Sequence, residues 1–487
     1  MMPIRLHRHE VTFQPDSARV IIRPFIPGKP VIVSRILHRA LSMSETDAEA
    51  ELQAILREFA ARHFDLESIL LAHYEKVSPR IASHQPISRV RQLLIGALFS
   101  GEYALESAAL FNPSIVPHPD QSGLADGDLR FILSLRATGE GHISSIEFRT
   151  GLIRADGAIT MEEPSRFVTA PVQNPNPTFR KTVFLHKLME MGFENEWSAA
   201  VMTSLGDNFT LNELEDAMRH APHGSGPLPR EVQRTSECVR WLAESNYEVH
   251  FDPSVAVSER IIFPISSNES NGMEDARFVR FVEDDGSVLY YATYTAYNGR
   301  AILPQLLETT DFLSFRARTL NGRAVQNKGM AFFPRRLDGR YAMISRQDDE
   351  NLFLMFSDNP HFWSEPQLLR RPCQSWEAVK IGNCGSPIET AAGWLVITHG
   401  VGPMRKYCLG ALLLDLHDPS KVLAELKEPL VQAVGAEREG YVPNVVYTCG
   451  ALLHRDRLVL PYGLSDTATT IVSMSIDELL AAFTPCV

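Results

Sequence analysis

Carboxylates and cationic side chains recur at corresponding places in this sequence. Glu274 and Asp275 stand together at the start of one apolar strand pattern, and Asp466 follows another. The basic residues at corresponding strand ends are Arg136, Lys328, Arg346 and His399. A carboxylic acid can protonate a leaving group, and grouped cations can hold an anion beside it. This set of residues predicts a site for a polyhydroxylated or phosphorylated ligand.

Each of these residues also has a purely structural interpretation. Asp275 could be a turn residue, Lys328 could be solvated, and His399 could satisfy a strand end. Arg346 could pair with the acidic run at 348–350, a surface arrangement of little energetic value. Their shared position in a repeat favours function, because independent surface charges would not select the same strand ends.

The elements that would position these side chains form an internal repeat. Four segments share one plan, in which a polar start leads into an apolar strand, a tight turn and a second strand with a polar end. They start at Glu274, Asn327, Asn383 and Asn444, with a related segment from Asn112. A period of about 40–50 residues with several strands per unit is typical of propeller blades. The repeat therefore predicts a mainly β fold, a five-bladed β-propeller whose inner strands bring the polar ends to one mouth. A large β-sandwich is the alternative, but it does not explain the repeated polar ends.

Two regions of helical periodicity accompany the strands. Residues 1–106 predict a short N-terminal hairpin at 9–34 followed by helices, and residues 107–487 predict the propeller. A helical insertion at about 180–248 separates the first repeat from the second. The N-terminal helices could cover the channel or mediate assembly into a homo-oligomer.

Composition narrows the class of protein. The net charge of −12 argues against a nucleic-acid or anionic-membrane partner, since both require a cationic surface. Six cysteines without CxxC pairing fit a reducing compartment. The N-terminus lacks the apolar run of a secretory signal, and no stretch of about 18 apolar residues predicts a membrane span. A cytoplasmic location is expected.

Several phrases, in order along the chain, resemble glycoside hydrolase family 130, which comprises mannoside phosphorylases and β-mannosidases. They are Gly272–Arg277 (GMEDAR), Tyr291–Tyr297 (YATYTAY), Trp376–Gly382, Gly393–Val401, Gly410–Asp415 and Tyr462–Asp466. The likeness runs from about Asn112 to the C-terminus, apart from the insertion. Ala276 replaces a usual proline, and Gly329 stands where a polar residue usually follows the basic one.

The resemblance implies a five-bladed propeller that acts on β-mannosides. It implies that Asp275 is the general acid, which delivers its proton through the 3-hydroxyl of the mannose. The phosphate-binding positions that it implies are Lys328, Arg346, His399 and Tyr407. The sugar-binding positions that it implies are Asn112, Arg136, Glu274, Lys380 and Asp466.

The choice between phosphate and water follows from the groups that each reaction needs. An inverting hydrolase requires a second carboxylate to activate water, whereas phosphate already carries the attacking charge. The cations favour phosphorolysis of a mannose-containing oligosaccharide to α-mannose 1-phosphate, with inorganic phosphate as co-substrate and no metal or organic cofactor. A hydrolytic β-mannosidase with Asp348, Asp349 or Glu389 as base is the alternative. A non-catalytic glycan-binding propeller is the third hypothesis.

Overall fold

The computed structural model describes residues 4–81, 86–222 and 229–486. Strands predominate over helices, which confirms the prediction of a mainly β fold. The helices within these ranges are α1 (Pro30–Ser42), α2 (Glu45–Phe59), α3 (Leu66–Val77), α4 (Arg89–Leu98), α5 (Lys181–Glu190), α6 (Glu196–Thr203), α7 (Leu211–His220), α8 (Arg230–Glu244) and α9 (Ile476–Ala481). In the described part of the chain, every helix is too short or too polar to cross a membrane.

Five antiparallel meanders make up most of the β-structure in the described ranges. The strands that precede them are β1 (His7–Phe13), β2 (Val20–Pro24) and β3 (Ser100–Ala104). Meander 1 contains β4 (Ala109–Pro117), β5 (Leu129–Thr138), β6 (Ser144–Ile153) and β7 (Ile159–Met161). The segment after it contains β8 (Val172–Gln173), β9 (Thr178–Arg180), β10 (Asn208–Thr210), β11 (Glu248–His250) and β12 (Ile261–Ile262).

The remaining meanders follow one another along the chain. Meander 2 contains β13 (Gly272–Val282), β14 (Val288–Tyr297), β15 (Ile302–Thr309) and β16 (Ser314–Thr319). Meander 3 contains β17 (Ala331–Phe332), β18 (Tyr341–Ser345), β19 (Leu352–Ser357) and β20 (Pro366–Arg370). Meander 4 contains β21 (Lys380–Asn383), β22 (Ile388–Thr390), β23 (Gly393–Val401), β24 (Tyr407–Leu414), β25 (Val422–Glu425) and β26 (Val431–Gln432). Meander 5 contains β27 (Val446–Tyr447), β28 (Leu452–His454), β29 (Arg457–Leu464) and β30 (Ala468–Ser475), and β31 (Thr484–Pro485) pairs with β25.

Each meander contacts the next, and the last contacts the first. Strand β4 contacts β13 of meander 2 and β29 of meander 5. Strand β17 contacts β13 and β14, β21 contacts β18, and β27 contacts β24. Strand β1, from the N-terminus, pairs with β30 and so extends the last meander. The order of contacts therefore returns to its starting point.

Aromatic side chains fill the space between neighbouring meanders. The rings of Phe148 and Phe278 lie 5.9 Å apart between meanders 1 and 2, and those of Tyr291 and Phe332 stack at 4.9 Å between meanders 2 and 3. Trp394 of meander 4 is fully buried against Phe333. Burial of such large rings supplies much of the stability of the core and holds the strand ends in fixed positions.

The predicted hairpin at residues 9–34 is wrong. Strand β1 pairs with β30, strand β2 pairs with β3, and residues from Pro30 onward form α1. The alternation of apolar residues indicates strands correctly, but it carries no information about their partners. A proline at the first turn is compatible with a helix, because that position needs no N–H donor.

A buried ion cluster fixes the N-terminal region to meander 1. Arg19 is 3% exposed, and its Nη2 donates to Glu147 Oε2 at 2.9 Å while its Nε lies 2.7 Å from Glu106 Oε1. Arg149 donates to the same two carboxylates at 3.1 and 2.6 Å. Each buried charge therefore has a partner of opposite sign, as burial requires.

The helical insertion has an apolar core of its own. Helices α5 to α8 pack around Phe184, Trp197, Val201 and Leu242. Capping boxes begin α6 at Asn195 and α7 at Thr210, where side chains satisfy the first free backbone donors. The insertion joins meander 2 through β11, which pairs with β16.

Candidate active site

The polar ends of the repeats lie along one edge of the meanders. Asp275 is near the start of β13, Arg346 directly follows β18, His399 is near the end of β23, and Asp466 follows β29. Because the first strand of a meander runs antiparallel to its second, the start of one and the end of the other share an edge. This edge extends from Asn112 on β4 to Asp466.

A bulge in β13 sets the position of Asp275. The register of β13 against β14 shifts between Glu274 and Arg277, and Asp275 has the left-handed φ of 54°. Asp275 is only 6% exposed, and its Oδ1 accepts a hydrogen bond from Nδ2 of Asn112 at 2.6 Å. Nη1 of Arg136 lies 3.4 Å from the same oxygen.

Charges around Asp275 keep its carboxyl group ionised. Burial by itself would raise the pKa of Asp275, but the positive charges of Arg136, Lys328 and Arg277 outweigh it and hold that pKa well below its usual range. The hydrogen bond from Asn112 acts in the same direction. In the unliganded chain this carboxylate is therefore an anion among cations.

Arg277 supports Asp275 from beneath, a role that the sequence did not reveal. The side chain of Arg277 is fully buried and donates from Nη1 to the backbone oxygen of Asp275 at 2.9 Å. Its Nε donates to the backbone oxygen of Cys384, and its Nη2 donates to the hydroxyl of Tyr447 at 2.7 Å. Arg277 thus joins meanders 2, 4 and 5 below the carboxylate. The signal for Arg277 in the sequence is its place at the end of the GMEDAR phrase.

Glu274 connects two of the predicted site cations. Its Oε1 accepts from Arg136 Nη2 at 2.7 Å, and its Oε2 lies 3.6 Å from Nζ of Lys328. Arg136 also donates from Nε to Ser144 at 2.9 Å, and its guanidinium stacks over the ring of Phe111. These contacts fix the planar donor group of Arg136 beside Asp275.

A cleft of about 270 Å³ opens next to these residues. Its polar and aromatic lining includes Arg136, His142, Glu274, Tyr297, Tyr441 and Asp466. Carboxylates, a guanidinium and aromatic rings are the groups that recognise the hydroxyls and apolar faces of a sugar. The cleft brings together three of the predicted sugar-binding residues, while Asn112 lies beside Asp275.

Asp466 has the opposite electrostatic character to Asp275. Burial and the charge of Asp275 raise the pKa of Asp466 to about 6, although Arg136 and Arg405 act to lower it. The backbone of Asp466 has a left-handed φ of 53°, which asparagine also tolerates. Near neutral pH the folded chain therefore holds a carboxylate whose charge is disfavoured there.

Replacing Asp466 by asparagine should stabilise the fold above pH 6. In the wild type, the stability from protonated Asp466 is complete below the unfolded pKa near 4 and is lost as the pH rises through 6. The variant should therefore gain about 1–3 kcal/mol at pH 7.5 and about none at pH 3.5. Unfolding of both proteins at the two pH values measures this, and an equal difference at both would contradict it.

The anion-binding candidates surround Arg346. Arg346 is 4% exposed, and its Nη1 donates to Nε2 of His399 at 3.1 Å. A Cβ atom at Gly329 would lie 2.7 Å from Nε of Arg346, and Gly329 has a φ of 91°. Glycine at this position, where the family usually has a polar residue, thus leaves room for the guanidinium of Arg346. Tyr407 stacks parallel to His399 with 6.0 Å between ring centroids.

His399 is a neutral ring that orients Arg346. Its side chain is fully buried, and burial followed by the charges of Arg346 and Arg277 lowers its pKa well below the usual value. The neutral ring accepts from Arg346 through Nε2, which orients the guanidinium. His399 therefore helps to fix the position of the Arg346 side chain.

Lys380 lies on the Arg346 side of the site. Its Nζ is 3.1 and 3.0 Å from the two carboxylate oxygens of Asp349, and Oδ1 of Asp349 is also 3.8 Å from Nη1 of Arg346. The family resemblance implies that Lys380 binds the sugar, whereas in the structure it lies beside the cations predicted to bind phosphate.

The other two candidate bases have structural partners. Asp348 caps its own turn by accepting from the backbone N–H groups of Glu350 and Asn351 at 3.0 and 2.8 Å. Glu389 forms two hydrogen bonds of 2.8 Å with Arg335. Glu389 is also opposite Trp394, five residues before His399 on β23, about 17 Å away along the strand.

The recurring polar starts have a conformational cause as well. Asn112, Asp275, Asn327 and Asn444 all adopt left-handed backbone conformations, with φ between 50° and 64°. Asparagine and aspartate enter this region far more readily than most residues. One conformational requirement therefore explains part of the repeat, and only some of the repeated side chains take part in the site.

Comparison with known proteins identifies the family. The family model described as beta-1,4-mannooligosaccharide phosphorylase matches residues 242–484. A 1,2-beta-oligomannan phosphorylase of Thermoanaerobacter sp. (strain X514) is 31% identical over 297 residues, covering 59% of this chain and 94% of the relative. A beta-1,4-mannooligosaccharide phosphorylase of Ruminococcus albus is 32% identical over 166 residues, covering 32% of this chain and 50% of the relative.

A solved structure is also similar. The Listeria innocua beta-1,2-mannobiose phosphorylase, in complex with beta-1,2-mannobiose, aligns with a TM-score of 0.46 and 21% identity, covering 78% of this chain and 92% of that one. The sequence matches define the class of protein as a carbohydrate-active enzyme. The chain belongs to glycoside hydrolase family 130, which confirms the family prediction.

Proposed function

We propose that this enzyme is an inverting β-mannoside phosphorylase and that its meanders form a five-bladed propeller. The reaction converts a β-1,2- or β-1,4-linked mannosyl oligosaccharide and inorganic phosphate into α-mannose 1-phosphate and a shortened acceptor. Phosphate is the co-substrate, and no metal or organic cofactor takes part. The names of the relatives support phosphate as the nucleophile. The cyclic order of contacts between the meanders supports the propeller.

The observation that carries the proposal is one carboxyl group beside a set of cations. Asp275 is buried between Asn112 and Arg136, and Lys328 and Arg346 lie on the same edge. Asp275 is the proposed acid, and Arg346, oriented by His399, is the proposed anchor for phosphate. Lys328, Tyr407 and Lys380 complete the anion site, and Glu274, Arg136, Asn112 and Asp466 bind the mannosyl unit.

Binding of phosphate would adjust the protonation of the acid. In the unliganded chain, the surrounding cations hold the pKa of Asp275 low. A phosphate dianion beside Lys328 and Arg346 offsets part of that positive charge, and a bound sugar excludes water, so both raise the pKa of Asp275. Proton donation is thereby coupled to the arrival of the nucleophile.

Product analysis distinguishes phosphorolysis from hydrolysis. We expect β-1,2-mannobiose or β-1,4-mannobiose to yield α-mannose 1-phosphate and mannose in phosphate buffer, and to remain intact when phosphate is omitted. Phosphorus NMR identifies the sugar phosphate and its anomeric configuration. Release of mannose at equal rates with and without phosphate would show a hydrolase, and no turnover of either substrate would support a glycan-binding protein.

A further inference from the structure

A tight turn holds the carboxylate of Asp349 against the proposed anion site. The turn between β18 and β19 is closed by Asp348, whose Oδ1 accepts from the backbone N–H groups of Glu350 and Asn351. Asp349, at the centre of the turn, has a left-handed φ of 61°. Its carboxylate lies 3.0 Å from Nζ of Lys380 and 3.8 Å from Nη1 of Arg346.

The position of Asp349 is at odds with simple attraction of an anion. Arg346 and Lys380 are the groups that would hold phosphate, yet Asp349 places a negative charge between them. The side chain of Asp349 is about half exposed (51%), so its carboxylate can be reached from the solvent. Burial acts to raise the pKa of Asp349, but the hydrogen bond and charge of Lys380 and the charge of Arg346 lower it, so the group is ionised.

An ionised carboxylate only accepts hydrogen bonds. A neighbouring oxyanion without a proton, such as sulfate, meets repulsion there. Hydrogen phosphate, HPO₄²⁻, carries one P–OH group that can donate to the carboxylate while its other oxygens face the cations. The chemistry of the site therefore differs for two anions of the same shape and the same charge.

We propose that Asp349 accepts a hydrogen bond from the P–OH group of hydrogen phosphate and so makes the anion site selective for phosphate over sulfate. This inference rests on the proposed phosphorylase function. It makes Asp349 a specificity-determining residue and not a base for water.

The reaction balances with this proton left in place. An unprotonated oxygen of HPO₄²⁻ forms the new bond to the anomeric carbon, and the glycosidic C–O bond breaks. The leaving oxygen takes the proton of Asp275, which becomes a carboxylate. The product leaves as the monoanion of mannose 1-phosphate with the P–OH proton still present, so the total charge is −2 before and after the step.

The variant Asp349→Asn tests the assignment. Asparagine preserves the shape and tolerates the left-handed backbone, but its amide group can donate to an unprotonated anion. We expect sulfate to become a much stronger competitive inhibitor of phosphorolysis. The ratio of the sulfate inhibition constant to the KM for phosphate should fall about 10- to 100-fold, the usual effect of a charged hydrogen bond.

Glu350→Gln is the matched control. It removes one negative charge from the adjacent residue, which is exposed and whose carboxylate forms no hydrogen bond or ion pair within the described ranges. The control should leave the ratio unchanged. An equal fall in both variants would mean a general charge effect and would overturn the assignment, as would an unchanged ratio in Asp349→Asn.

Calorimetric titration of the wild type with phosphate and with sulfate gives a second measurement without any variant. Phosphate should bind at least about tenfold more tightly than sulfate, and equal affinities would refute the selectivity. If the wild type does release free mannose in phosphate-free buffer and Asp349→Asn abolishes that release, Asp349 is a base for water and the inference fails. Failure of the proposed function is separate, because it appears as a wild type that forms no mannose 1-phosphate.

Discussion

The variant Asp275→Asn should lose phosphorolysis of an unactivated β-mannoside by about 10³-fold, the usual contribution of a general acid. Asparagine can still accept the hydrogen bond from Asn112, so the local geometry is retained, but it has no proton to give to the leaving oxygen. Formation of mannose 1-phosphate under saturating phosphate measures the loss. Circular dichroism of the variant verifies that the fold is intact.

A substrate that needs no acid separates chemistry from structure. In a 2,4-dinitrophenyl β-mannoside, the leaving group departs as a stable anion and needs no proton. Asp275→Asn should therefore cleave this substrate at a rate much closer to that of the wild type. Equal losses on both substrates would refute the assignment of Asp275 as the acid. Asp284→Asn serves as the control, because this exposed carboxylate lies in the turn at the other end of β13 and should leave both rates unchanged.

The second large effect is expected at Arg346. Arg346→Ala should raise the KM for phosphate about 100-fold, since it removes charged hydrogen bonds to the anion, and should change the KM for the mannoside far less. The substitution also leaves Nε2 of His399 without its hydrogen-bond donor. Initial rates at varied phosphate and fixed mannoside, and the reverse, measure the two constants.

Lys406→Ala provides the comparison for Arg346→Ala. Lys406 is a cation of the turn that precedes Tyr407, and its Nζ is engaged with Gln432 at 2.7 Å. Its loss should alter neither constant. If Arg346→Ala binds phosphate normally, or if both variants weaken it alike, the anion site lies elsewhere.

The meeting of the polar strand ends could be predicted from the sequence, because polar residues recur at the same place in each repeat. Asp275, Arg346, His399 and Asp466 come from different repeats, and the structure brings them to one edge. Contacts that cross between repeats could not be predicted in this way. Arg277 reaches Cys384 and Tyr447, more than 100 positions away, and no local pattern encodes these partners.

Which side chains contact one another within the site could not be predicted from the sequence either. Lys380 is directed to Asp349 and not to the sugar-binding cleft, because the turn after β18 brings Asp349 to the start of β21. Gly329 reads as a departure from the family pattern, and only the position of the Arg346 side chain shows why a side chain there would collide. The recurring polar starts predict groups that face one site, whereas Asn327 and Asn444 also satisfy a requirement for left-handed backbone.

The pairing of β1 with β30 constrains how this chain can fold during synthesis. Thr12 is synthesised more than 450 residues before its partner Thr470. Strand β1 must therefore remain without its partner strand, its backbone edge unpaired, while the intervening meanders are synthesised. Such edges invite aggregation, and contacts this distant in sequence form slowly. Chaperone binding to the nascent N-terminal strand would protect the chain until its last sheet can close.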